Sequence, residues 1–164
     1  MDATKMAEAL AVSAPQPETA LDALCALAQA TVGAPLFTVM TFDEGTGMAR
    51  RIYSNMPEAY PVSGTKPANP TDWSRQVLGE RRTFVANDYE GIAAVFFDHE
   101  LIRSLGFESV INVPVVVAGK VVGTLNCLAE AGHYTPERVT AAETLKLPGA
   151  ACLLLIQTLE DRAS

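Results

Sequence analysis

Glu108–Glu130 (ESVINVPVVVAGKVVGTLNCLAE) decides the fold. Val110–Val117 and Val121–Leu128 are two runs rich in β-branched residues, separated by Ala118-Gly119-Lys120, which is the pattern of a β-hairpin. Side chains alternate along a strand, so parity sorts them onto two faces. The odd positions Ile111, Val113, Val115, Val117, Val121, Leu125 and Cys127 are apolar, apart from Gly123. The even positions Val110, Asn112, Pro114, Val116, Val122, Thr124, Asn126 and Leu128 mix apolar groups with amides and a hydroxyl. A three-residue loop with Gly119 in the left-handed region keeps Asn112 and Asn126 on one face, whereas a two-residue turn separates them. Under the first reading one face is a dry floor for helices and the other offers two amides. Buried amides need partners, which can be backbone, water or a ligand.

The flanking sequence completes an α+β domain. From Glu18 to Val32 the residues Leu21, Leu24, Cys25, Leu27, Ala28 and Val32 recur at helical spacing, and Gly33 and Pro35 end that helix. Leu36–Phe42 and Met48–Ser54 read as strands joined by the turn Asp43–Gly47. Asn55–Pro70 holds four prolines and excludes regular structure, yet Met56, Tyr60 and Val62 make it a packed loop rather than a solvated linker. Thr71 or Asp72 caps a helix carrying Trp73, Val77 and Leu78; Thr83–Ala86 is a short strand; Asn87–Arg103 forms short helical turns. Thr135-Pro136-Glu137 starts a helix that runs to about Leu159 with a kink near Pro148-Gly149. The fold class is thus α+β, a central antiparallel sheet with terminal helices on one face and a pocket with short helices and a loop on the other. The chain divides into an N-terminal extension, residues 1–17, free to be flexible, and a single domain, residues 18–162.

Composition limits the function. The chain has 164 residues, 49% hydrophobic and 19% charged, with a formal charge of −7. Such acidity excludes a phosphate-backbone binder and an anionic membrane surface as partners. The longest apolar run, Pro148–Ile156, is too short to span a bilayer, and the N-terminus lacks a signal-peptide pattern. Cys25, Cys127 and Cys152 are an odd, widely spaced set, as expected for reduced core thiols in the cytoplasm. His99 and His133 are the only histidines: His133 is expected in an exposed loop, and His99 beside Asp98 or Glu100. No metal site follows, and no cofactor is expected.

The charge is unevenly spread, since residues 50–82 hold six bases against three acids. That segment includes the proline-rich loop, so a modestly electropositive entrance favours an anionic metabolite such as a carboxylate. The site candidates are Tyr53, Tyr60, Lys66, Trp73, Asp88, Phe96, Asn112 and Asn126. Each has a structural alternative: Tyr53, Tyr60 and Trp73 as core, Asp88 as a helix cap, Lys66 as a solvated charge. Of the adjacent Phe96 and Phe97, one only can face inward.

Ser104–Leu128 resembles the C-terminal half of a GAF sensor domain. The features are Ser109, Val113-Pro114-Val115, the glycine turn Ala118-Gly119-Lys120 and Val122-Gly123-Thr124-Leu125. Phe84–Asp88 resembles the strand and turn before that family's pocket helix, and Arg51–Lys66 is similar to the segment in stand-alone bacterial members. The resemblance implies a small-molecule pocket holding Asn112 and Asn126. It lacks the Asn-Lys-Phe…Asp-Glu type motif of cyclic-nucleotide binders and the cysteine-histidine pair of bilin binders. It also lacks the cysteines of free methionine-R-sulfoxide reductases, since none lies between Cys25 and Cys127. Those enzymes place acids where this chain has Val110, Asn126 and Leu128. The expected function is a non-catalytic sensor of a small organic ligand. The alternatives are an interaction module with a vestigial, filled pocket, or a reductase-like enzyme. The broadly apolar last helix suggests a homodimer, and with no output segment attached, signalling is expected to pass through another chain.

Overall fold

The computed structural model describes residues 3–68 and 70–164. Two helices, α1 (Ala3–Ala11) and α2 (Glu18–Thr31), precede the hairpin β1 (Leu36–Asp43) and β2 (Met48–Ser54). The proline-rich segment follows, and among its described residues one piece is regular, contrary to expectation: β3 (Lys66–Pro67), which pairs with Met48 and Ala49. Next come α3 (Asp72–Ser74), which continues into a π-helical turn over Arg75–Gly79, then β4 (Phe84–Ala86), α4 (Tyr89–Ala93) and α5 (His99–Ser104). The chain ends with β5 (Ser109–Val117), β6 (Lys120–Ala129), α6 (Pro136–Glu143) and α7 (Lys146–Ala163). The six strands form one antiparallel sheet in the order β3-β2-β1-β6-β5-β4.

One face of the sheet packs against the terminal helices. Phe37 and Val39 of β1, Ile111, Val113 and Val115 of β5, and Leu125 and Cys127 of β6 meet Leu21, Leu24 and Ala28 of α2 and Cys152, Leu153 and Ile156 of α7. Met6 of α1 is buried in the same cluster. On the other face Leu36, Val110 and Leu128 pack with Tyr60, Ile92, Ile102 and Phe107. All three cysteines are buried on the helix side. Burial pushes each thiol above its usual range, Cys152 up to about 12. Ellman's reagent is therefore expected to titrate no thiol in the native protein and all three in guanidinium. A rapidly reacting thiol under native conditions would contradict this packing.

The β5–β6 turn corrects the expected three-residue loop. Only Ala118 and Gly119 connect the strands, both with positive φ, 49° and 78°, as a type I′ turn requires. Such a turn alone would put Asn112 and Asn126 on opposite faces. A β-bulge prevents it: Val116 pairs with Val121 but Val115 pairs with Gly123, so Val122 is extra. From there Asn112 lies directly opposite Asn126, and Val122, expected on the amide face, packs toward the helices. Alanine is a poor resident of the left-handed region, whereas Asn-Gly favours this turn. Ala118→Asn should stabilise the domain by roughly 0.5–1 kcal/mol, measured by urea unfolding.

The C-terminal break also lies elsewhere than expected. Helix α6 ends at Glu143 and α7 starts at Lys146, with a bend of 41°, several residues before Pro148. Pro148 occupies the first turn of α7, where no intrahelical N–H is needed, and its ring disfavours helical continuity through the preceding turn. Val62, expected to help pack the loop, is exposed. His133, expected to be solvated, wedges against Gly33, with its Nε2 3.2 Å from the Val32 carbonyl. No single helix among the described residues is long and apolar enough to cross a membrane.

Candidate functional site

The face opposite the terminal helices is not filled. Between the sheet, the Asn55–Pro70 loop and the short helices lies a cavity of about 120 Å³. Its floor is a row of polar side chains at matched register. Asn112 of β5 pairs with Asn126 of β6, which pairs with Thr38 of β1. The Trp73 indole Nε1–H donates to Asn112 Oδ1 at 2.9 Å, Asn112 Nδ2 donates to Asn126 Oδ1 at 2.7 Å, and Asn126 Nδ2 donates to Thr38 Oγ1 at 3.2 Å. The two amides therefore satisfy each other and are anchored at both ends.

Local sequence explains how Trp73 reaches this chain. Thr71 caps α3, its hydroxyl accepting from Ser74 N while Ser74 Oγ accepts from Thr71 N. This reciprocal box sets the helix start and turns Trp73 inward to 9% exposure. Phe96 sits 6.0 Å from the Trp73 ring and 6.2 Å from Phe84, building the wall opposite the floor. Phe97 points out, 74% exposed, with Lys66 Nζ 5.4 Å from its ring centroid.

The loop is strapped over the cavity by Tyr60. Its hydroxyl donates to Asp98 Oδ2 at 2.7 Å, just before α5, and its ring carries the Arg51 guanidinium at 3.9 Å. Arg51 Nη1 also donates to the Pro61 carbonyl at 2.9 Å. Burial pushes the Tyr60 phenol above its ordinary range against the opposing pull of the Arg51 charge, and Asp98 adds to the rise. The charged side chains lining the cavity are Arg51, Lys66 and Asp98, a net charge of one positive among the described residues.

Six of the eight candidates, Tyr60, Lys66, Trp73, Phe96, Asn112 and Asn126, line this cavity. The other two do not. Asp88 is the N-cap of α4, its carboxylate accepting from Gly91 N at 2.8 Å. Tyr53 lies on the terminal-helix side, donating to Asp22 Oδ1 at 2.8 Å with its ring 6.2 Å from Phe37. Burial, chiefly, holds its phenol above the ordinary range, and the bond to Asp22 adds to the rise. Arg51 and Tyr53 have the same parity, yet they face opposite ways. Val39 pairs with Tyr53 while Met40 pairs with Arg51, so Ile52 is an extra residue in a β-bulge. That bulge removes Tyr53 from the pocket side and brings in Arg51, which parity alone did not single out.

Two polar atoms on the lining are buried without a partner: Arg51 Nε and Thr124 Oγ1. The lining contains no cysteine and no histidine among the described residues. His99 instead meets Tyr89, with Nδ1 2.7 Å from the hydroxyl. No group of three or more His, Cys, Asp or Glu placed to hold a metal ion occurs among the described residues. The arrangement can hold a small molecule between an apolar wall and a polar floor, with one guanidinium at its edge.

The sequence profile of the GAF domain matches residues 14–146. Among solved structures, the GAF domain from a phosphoenolpyruvate-protein phosphotransferase of Coxiella burnetii superposes with a TM-score of 0.69 and 16% identity, covering 99% of each chain. The GAF domain of a two-component sensor histidine kinase from Bacillus halodurans has a TM-score of 0.68 and 14% identity over 92% of this chain and 100% of its own. A GAF domain/HD domain protein from Geobacter sulfurreducens has a TM-score of 0.65 and 14% identity over 85% and 91%. At these identities the likeness is one of fold. No curated protein matches the chain.

Proposed function

The chain belongs to the GAF domain family, and on that footing we propose that it is a non-catalytic sensor that binds a small organic molecule in the cavity beneath Tyr60. GAF domains are generally sensor or signalling modules that bind small molecules. The observation that carries the reading here is a strapped cavity of about 120 Å³ whose wall includes Thr124, 1% exposed, with an unpartnered hydroxyl. Buried polar atoms are normally paired, so an orphan hydroxyl on a residue that lines the cavity fits a site whose side chains readjust around a ligand. Among the described residues the lining offers no thiol or imidazole, and its Asp98 carboxylate already accepts from Tyr60, which favours binding over catalysis. A vestigial pocket filled by side chains would leave no such space.

Binding couples to the rest of the domain through the strap. Tyr60 and Pro61 are tied to β2 through Arg51 and to α5 through Asp98, so occupancy would bias how the loop closes. The protein works in the cytoplasm, where its three thiols stay reduced. A homodimer through α7 is part of the proposal, because Leu147 and Leu154, about two turns apart, are 80% and 41% exposed. Light scattering after size exclusion at tens of micromolar checks it, and a strict monomer would count against it.

Trp73 is the only tryptophan and forms part of the wall, so its emission reports occupancy. A metabolite screen by thermal shift and Trp73 fluorescence, with native mass spectrometry on the hits, should find a ligand that binds with one-to-one stoichiometry. A screen in which nothing raises the melting temperature or moves the emission would sink the ligand-binding reading.

A further inference from the structure

We propose that the cavity takes a short-chain carboxylate anchored by Arg51, an inference that rests on the ligand-binding reading above and specifies its chemistry. The sheet register places the two orphaned polar groups in one row. Thr124 of β6 pairs with Met40 of β1, and Met40 pairs with Arg51 of β2. Adjacent strands are about 4.8 Å apart, so the two backbones are separated by about 10 Å. Met40 lies between them and also lines the cavity. A molecule seated on this row lies over Arg51 at one end, Met40 in the middle and Thr124 at the other end.

Arg51 is held ready for an anion. Its guanidinium stacks on Tyr60 at 3.9 Å, one Nη1–H donates to the Pro61 carbonyl, and Tyr60 is fixed in turn by Asp98. The Nε–H remains buried and unpaired. A carboxylate oxygen satisfies such a donor through a charge-assisted bond once the guanidinium turns toward the cavity that Arg51 lines. Asp98, the one acid on the lining, already accepts from Tyr60, while Lys66 adds a second cation at the exposed edge.

The rest of the lining narrows the class. Asn112 and Asn126 are engaged with each other, Trp73 and Thr38, so their oxygens do not call for a donor-rich ligand. The free space is about 120 Å³. Sites for drug-sized ligands measure about 300–1,000 Å³. A carboxylate with a short linear or branched apolar body suits a space of that size.

The test uses the full chain and matched pairs of probes: propionate, isobutyrate and benzoate, each beside its primary amide, with inorganic phosphate as a further anion. Binding is followed by Trp73 emission and by the Trp73 indole N–H resonance. At least one acid should bind ten-fold or more tightly than its amide. Arg51→Gln should abolish that preference, and Arg51→Lys should weaken it by losing the planar fork. Arg50→Gln, whose arginine pairs with Glu160 rather than lining the cavity, should retain it.

The acid-to-amide comparison is made on the unaltered protein, so it holds whether or not the variants fold. Equal binding of acids and amides, or phosphate binding as tightly as any acid, overturns the carboxylate assignment and leaves the ligand-binding reading standing. If no acid perturbs Trp73 at millimolar concentration while neutral screen hits do, the assignment again fails alone. If neither acids nor any screened metabolite perturbs it, both fail.

Discussion

Gly123→Ala is expected to destabilise the domain by about 3 kcal/mol or more and lower its melting temperature by roughly 10 °C, given ~2–4 °C per kcal/mol at this chain length. A Cβ at this position would lie 2.3 Å from the Met40 carbonyl oxygen and 2.9 Å from Leu153 Cδ1. The first contact is with backbone in a central strand, which cannot move without disturbing the β1–β6 ladder. Leu153 is buried between α7 and the sheet, so it cannot yield easily either. Gly79→Ala is the matching control, because nothing lies within 4 Å of its added Cβ. Alanine is the better helix former there, so that variant should be neutral or slightly stabilising. Thermal and urea unfolding of the two variants side by side settle the matter. A Gly123→Ala protein melting within two or three degrees of the parent would mean that β1 and α7 do not approach so closely.

Asn112→Leu is expected to cost about 3 kcal/mol for a different reason. It leaves the Trp73 indole N–H and the Asn126 carbonyl oxygen without their partners, at roughly 1–3 kcal/mol for each orphaned group. Trp73→Phe removes one end of the same chain and orphans only the Asn112 oxygen, so its hydrogen-bonding cost is smaller. The double variant should cost less than the sum of the two by about 1–2 kcal/mol, because the Trp73–Asn112 bond can be lost only once. Urea unfolding followed by circular dichroism measures all three without relying on tryptophan emission. Strict additivity would show that the indole and the amide do not interact.

Much of this protein was legible in its sequence. The β-branched runs, the turn residues and the caps at Thr71, Asp88 and Thr135 are local signals, and each element they mark is present. The helix-side core followed from alternation, since Ile111, Val113, Val115, Leu125 and Cys127 do form one buried cluster. The polar even face was also legible, and six of the eight site candidates reach one cavity. Trp73 and Tyr60 were ambiguous as aromatic residues near loops. Only packing decided that they form a wall and a strap.

Where strand parity failed, an extra residue in a strand was the cause. Parity assumes an unbroken pleat, and nothing in RIYS marks Ile52 as a bulge; the mismatch between β2 and β1 does. One bulge exchanged Tyr53 for Arg51 and changed the chemistry offered to a ligand. A second, at Val122, offset a two-residue turn that would have separated the two asparagines. Local sequence was enough for most of the elements, the two-faced sheet and the excess of cations around the proline-rich loop, though not for β3 or the break between α6 and α7. Tertiary structure alone decided which side chains share the cavity, because strand register is set between strands. One inserted residue moves every later side chain to the other face.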